Sequence, residues 1–162
     1  MQIADISPLR GLKNIQSLDL MGTAVVDLSP LEGLTDLVTL DLMDTQVADL
    51  SPLRGLIRLQ LLDLNSTRVR DLHPLQRLSD LRTLSIMNTQ VEDLTPLMDL
   101  TYLHTLYLEN THVSDLGPLA ELINLRKLHL AGTNVTDLAP LNDLTELKII
   151  GIEDTRPFRR GR

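Results

Sequence analysis

From Asp5 to Thr155 the chain repeats one pattern of apolar and polar positions every 22 residues. Asp recurs at Asp5, Asp27, Asp49, Asp71, Asp93, Asp115 and Asp137. A Pro follows each Asp three positions later, from Pro8 to Pro140, and a Thr eighteen positions later, from Thr23 to Thr155. Six further columns, at 1, 4, 7, 10, 13 and 15 residues past the Asp, hold only Leu or Ile in all seven units. A Val column runs through Val25, Val47, Val69, Val91, Val113 and Val135. A fixed period of this length is the signature of a stacked repeat protein.

The spacing within a unit sets its local geometry. Leu40-Asp41-Leu42 alternates apolar and polar, as a strand with one buried face does. Upstream, Leu31, Leu34 and Leu37 come every third residue, which matches a 3₁₀ helix or another tight turn. Pro30 suits the first position of such a turn, and Ser7, Ser29, Ser51 and Thr95, each just before a Pro, read as side-chain caps. No unit can bury its own leucines, whereas stacked units pairing strand to parallel strand can. Strands are expected near residues 17–20, 39–42, 61–64, 83–86, 105–108, 127–130 and 149–152. The invariant Asp and Thr read as structural, the carboxylate accepting backbone N–H groups of the turn and the hydroxyl bonding to backbone in the bend after the strand.

Composition then narrows the classes. The 162 residues are 43% hydrophobic but only 2% aromatic, so the core must be aliphatic. No apolar run approaches the ~20 residues that a membrane-spanning helix needs. The absence of Cys removes disulfides and thiolate metal sites, and no leader-like segment opens the chain, so a cytoplasmic location is favoured. Residues 1–155 hold 11 basic and 22 acidic side chains, a net charge of −11 that repels a phosphate backbone. The expectation is therefore no nucleic acid, no membrane and no cofactor. Residues 156–162 form an Arg-rich tail separate from the repeat domain of residues 1–155.

The unit Leu-x-x-Leu-x-Leu-x-x-Thr-x-Val-x-Asp-Leu-x-Pro-Leu-x-x-Leu-x-x resembles the leucine-rich repeat family, and most closely its 22-residue class of bacterial internalin-type proteins. Thr stands where that family most often has Asn. The resemblance implies an α/β solenoid, a right-handed superhelix with a parallel sheet on its concave face and 3₁₀ or extended turns on its convex face. It also implies a partner bound on the concave sheet. The pattern starts mid-unit without a polar cap, so a module of a longer protein is expected, or else a short protein whose ends self-associate.

The open face of the sheet, at 12, 14 and 16 residues past each Asp, is where the sequence departs from repetition. Asp19, Asp41 and Asp63 would lie on successive strands, and nothing in the core accounts for three like charges in line. A basic segment of a protein or peptide partner would relieve their repulsion. Met21, Met43 and Met87 share one column, and Leu61 is the only one of 38 leucines outside the core columns. Ser85 continues the middle column, and Tyr107, Glu109, His104 and His129 form an aromatic and imidazole cluster. These twelve residues are the candidate partner-binding set.

An open sheet offers no water-excluded cavity, and no nucleophile or phosphate-binding motif appears, so a non-enzymatic protein-interaction module is the leading reading. A bacterial surface or secreted adhesin of internalin type is the alternative. A catalytic or metal site around His129 is the third, and it would need another converging ligand.

Overall fold

The structure, a computed structural model, describes residues 3–152. The Arg-rich tail and Thr155 lie outside the described residues. Seven three-residue strands form one parallel sheet in sequence order: β1 Ser17–Asp19, β2 Thr39–Asp41, β3 Leu61–Asp63, β4 Thr83–Ser85, β5 Thr105–Tyr107, β6 Lys127–His129 and β7 Lys148–Ile150. Each strand is preceded by one turn of 3₁₀ helix, from Ser7–Leu9 to Ala139–Leu141. The architecture expected from the repeat, an α/β solenoid with its sheet on the concave side, is the one observed.

The aliphatic columns account for its interior. Leu, Ile and Val from successive units stack into one continuous core, and from Val25 to Val113 its members are 0–1% exposed. Leu130, Leu141 and Leu144 extend it into the last units. Burial of this kind contributes about 25 cal/mol per Å² of apolar surface removed from water, which is why no unit is stable without its neighbours.

The Asp column does what the turn requires. Oδ1 of each of the seven accepts the backbone N–H two residues on, always at 2.8 Å, from Asp5–Ser7 to Asp137–Ala139. The turn itself starts one residue earlier than expected. Pro is its second residue, the residue before Pro its first, and the capping position is aliphatic, Ile6 or a Leu, with no side-chain cap bond. Ser and Thr before the Pro are thus not caps. The bond common to all seven needs only the backbone N–H at that place, which explains why His73, Gly117 and Ala139 serve there as well. In Ser29 the hydroxyl additionally donates to the other oxygen of Asp27, at 2.9 Å.

The Thr column is self-contained. The hydroxyls of Thr23, Thr45, Thr67, Thr89, Thr111 and Thr133 each donate to the carbonyl three residues back, at 2.6–2.8 Å. Each Thr therefore closes the bend of its own unit. The residue before each Thr has a left-handed backbone: Gly22, Asp44, Ser66, Asn88, Asn110 and Gly132 have φ between 54° and 70°. Gly, Asn and Asp tolerate that conformation best, so this column was readable from the sequence as a turn position.

The last strand breaks the period. Up to β6 the partners are 22 residues apart, but Lys127 pairs with Lys148, Leu128 with Ile149 and His129 with Ile150. A one-residue slip exchanges the two faces of a strand. Ile149, expected on the open face, packs against the core, and Ile150 takes its turn on the open side. Gly151, with φ 84°, follows directly, and a Cβ there would come within 2.8 Å of Ala131.

Candidate functional site

The open face is built by the parallel register, which puts the middle residue of one strand beside the same residue of the next. Asp19, Asp41 and Asp63 are consecutive partners on β1, β2 and β3, with rungs ~4.8 Å apart. Each also has a local role in its own unit. Oδ1 of each accepts the backbone N–H two residues on, from Met21, Met43 and Asn65, at 2.9 Å. A neutral Asn offers the same acceptor, so this bond does not explain the charge. Among the described residues none of the three is ion-paired. Burial raises the Asp63 carboxyl above its ordinary value, and the charges of Asp41 and Asp44 add to that effect.

Leu61, on the flank of β3 between Thr39 and Thr83, is 40% exposed, and Met21 is 48% exposed. Met43 and Met87 are half-buried. The methionine column is interrupted by Asn65, a residue outside the expected set that organises the middle of the face. Asn65 is buried, its Oδ1 accepts the Ser85 hydroxyl at 2.6 Å and the Met87 N–H at 2.7 Å, and its Nδ2 donates to Asp63 Oδ2 at 3.2 Å. Ser85 is thereby buried with its hydroxyl engaged.

At the other end the structure brings together Tyr107, Glu109 and His129. The Tyr107 and His129 rings lie 4.4 Å apart between centroids and tilted by 39°. His129 Nδ1 lies 3.0 Å from Glu109 Oε1, while Glu109 Oε2 is buried without a hydrogen-bond partner. The contact with Glu109 fixes the orientation of the His129 ring. His104 does not join the three. It sits one residue ahead of β5, exposed, with Nδ1 2.7 Å from the Tyr102 carbonyl. No group of three or more potential metal-ligating side chains converges among the described residues.

A second column escaped the reading of the sequence. Arg82, His104, Arg126 and Lys148 occupy successive rungs at one rim of the sheet, each backbone N–H bonded to the carbonyl of the rung before at 2.8–2.9 Å. The 22-residue spacing was the signal, one position ahead of the columns considered.

The family model for leucine rich repeats, in its two-copy form, matches residues 13–55, 79–121 and 101–143. No curated protein sequence matches the chain. Among solved structures, internalin C2 of Listeria monocytogenes is 41% identical with a TM-score of 0.91, over 93% of this chain and 67% of that one. Internalin F of the same organism is 31% identical with a TM-score of 0.74, over 93% of this chain and 51% of that one. A leucine-rich repeat protein of Leptospira interrogans is 25% identical with a TM-score of 0.82, over 92% of this chain and 40% of that one. The chain therefore spans between two fifths and two thirds of the length of these structures.

Proposed function

The chain belongs to the leucine-rich repeat family, in its internalin-like class, and on that premise we propose that it is a non-enzymatic module that binds a protein partner across the concave sheet. The observation that carries this reading is the unpaired acidic column of Asp19, Asp41 and Asp63 beside the exposed Leu61 and Met21. Like charges on adjacent rungs oppose folding, and burial adds to the opposition at Asp63. A cationic partner segment relieves the repulsion and offsets the cost of the buried charge, and an apolar residue of that segment would cover Leu61.

The test uses a synthetic peptide of alternating Lys and Leu, read by fluorescence anisotropy. Asp41→Asn with Asp63→Asn keeps the acceptors for Met43 and Asn65 but removes the charges, and should weaken the peptide about tenfold or more. Leu61→Asp should weaken it as well, and Glu32→Lys on an exposed turn should not. Raising the salt concentration should slow association through the same column. Equal affinity for all of these proteins would place the binding surface elsewhere.

The likeness to internalins C2 and F supports a second reading, a surface or secreted bacterial adhesin that uses the same face. An export signal and a wall-anchoring segment in the parent gene would decide for it.

A further inference from the structure

The sheet changes sign along its length. One position ahead of β1 to β6, the hydrogen-bonded rungs run Gln16, Val38, Gln60, Arg82, His104 and Arg126, neutral over the first three and basic-type from the fourth, and Lys148, the first residue of β7, bonds to the last of them. Arg82, His104, Arg126 and Lys148 are all exposed. Lys127, also exposed, adds a further charge as the direct partner of Lys148 across β6 and β7. Among the described residues no carboxylate pairs with Arg82, Arg126, Lys127 or Lys148. The Arg126 guanidinium donates only to the carbonyls of Ile123 and Leu125. Glu109, the nearby acid on the open face, is turned onto His129. Beside this rim the register slip sets Ile150 next to His129, and the regular register of β5 and β6 sets His129 next to the Tyr107 ring.

We infer that the β4–β7 half of the sheet receives an acidic segment of the protein partner, so that the whole face fits a polypeptide whose charge reverses along its length. The inference rests on the protein-binding reading of the sheet and deepens it. Like charges on neighbouring rungs repel, as they do in the acidic column, and a guest of opposite charge removes the repulsion. A nucleic acid matches poorly, because its uniform charge would have to cross Asp19, Asp41 and Asp63 to span the face. A polypeptide can carry acid in one block and base in the next. From β2 to β6 is four strand steps, about 19 Å, which about six extended residues cover.

The experiment compares a Lys/Leu block, a Glu/Leu block, and the two joined by six Gly and Ser residues, all read by fluorescence anisotropy. The joined peptide should bind at least about tenfold more tightly than the Lys/Leu block alone, because its second contact is intramolecular. Lys127→Glu with Lys148→Glu should abolish that gain and the binding of the Glu/Leu block, while the affinity of the Lys/Leu block changes less than about twofold. If the joined peptide gains nothing while the Lys/Leu block still responds to Asp41→Asn and Asp63→Asn, this inference fails and the protein-binding reading stands. If the Lys/Leu block ignores those substitutions, the protein-binding reading of the acidic column fails instead. A single-stranded DNA 12-mer serves as the competing polyanion. Binding tighter than that of the Glu/Leu block, and lost in the same Lys variants, would overturn the inference in favour of nucleic acid.

Discussion

Ile149 stands opposite Leu128 and faces the core, while its neighbour Ile150 stands opposite His129 on the open side. The 22-residue period assigns the two isoleucines the other way round. Substituting each in turn separates the alternatives. Ile149→Ala should cost about 1–2 kcal/mol in chemical denaturation, and Ile150→Ala less than about 1 kcal/mol. The reverse order would restore the uninterrupted period.

Two leucines on neighbouring strands should behave very differently. Leu84 is fully buried at the centre of the stack, so Leu84→Ala should lower stability by about 2–5 kcal/mol. Leu61 reaches the surface, so Leu61→Ala should stay within about 0.5 kcal/mol of the parent. Urea titrations measure both, and a small loss at Leu84 would mean that its column is not core.

Ser66 carries a left-handed backbone at φ 54°, where equivalent positions have Gly, Asn or Asp. Its N–H donates to the Met87 carbonyl at 2.8 Å, so the conformation is held by the neighbouring unit. Ser66→Gly should raise stability by about 1 kcal/mol, the scale of the penalty for an L-residue in this region. Ser66→Val should lower it, since a β-branched side chain fits the region worst.

Acid should unfold the protein through its turns. In Asp5, Asp27 and Asp71 the accepted backbone N–H is the first cause holding the carboxyl below its ordinary value. In Asp49 and Asp93 it is the side chain of Ser51 or Thr95, followed by the backbone bond. A lowered value stabilises fully above the unfolded value of ~3.9 and is lost as pH falls through the folded one. The melting temperature should therefore drop below pH ~4, and less steeply in Asp49→Asn with Asp93→Asn. Asp63 has the opposite sign, because burial raises it. Its contribution is complete below ~3.9 and lost as pH rises through the raised value, so Asp63→Asn should melt no lower than the parent at pH 7. A melting temperature lower at pH 7 but unchanged at pH 3 would contradict that sign.

The fold was legible because the core columns are invariant and seven units repeat them in phase. The Asp and Thr assignments followed from elementary hydrogen-bond accounting. The turn start was misplaced because Ser before Pro has the chemistry of a cap, and only the structure shows that Asp27 and its equivalents already hold the N–H. The slip at β7 was hidden because Ile149 and Ile150 are both apolar, so alternation does not fix which one points inward. The role of Asp19, Asp41 and Asp63 in their own turns was missed because it depends on a bond two residues away along the chain. His104 was grouped with Tyr107, Glu109 and His129 by its chemistry, while its place one residue ahead of β5 puts it at the rim.

Because each Asp and each described Thr of that column satisfies a backbone group of its own unit, 22 residues can be gained or lost without breaking those bonds in the units that remain. Such a change would move one end of the sheet relative to the other in steps of ~4.8 Å. The gene then holds a ruler with fixed divisions, on which duplication or deletion resets the distance between two contact points while the interior stays as it was.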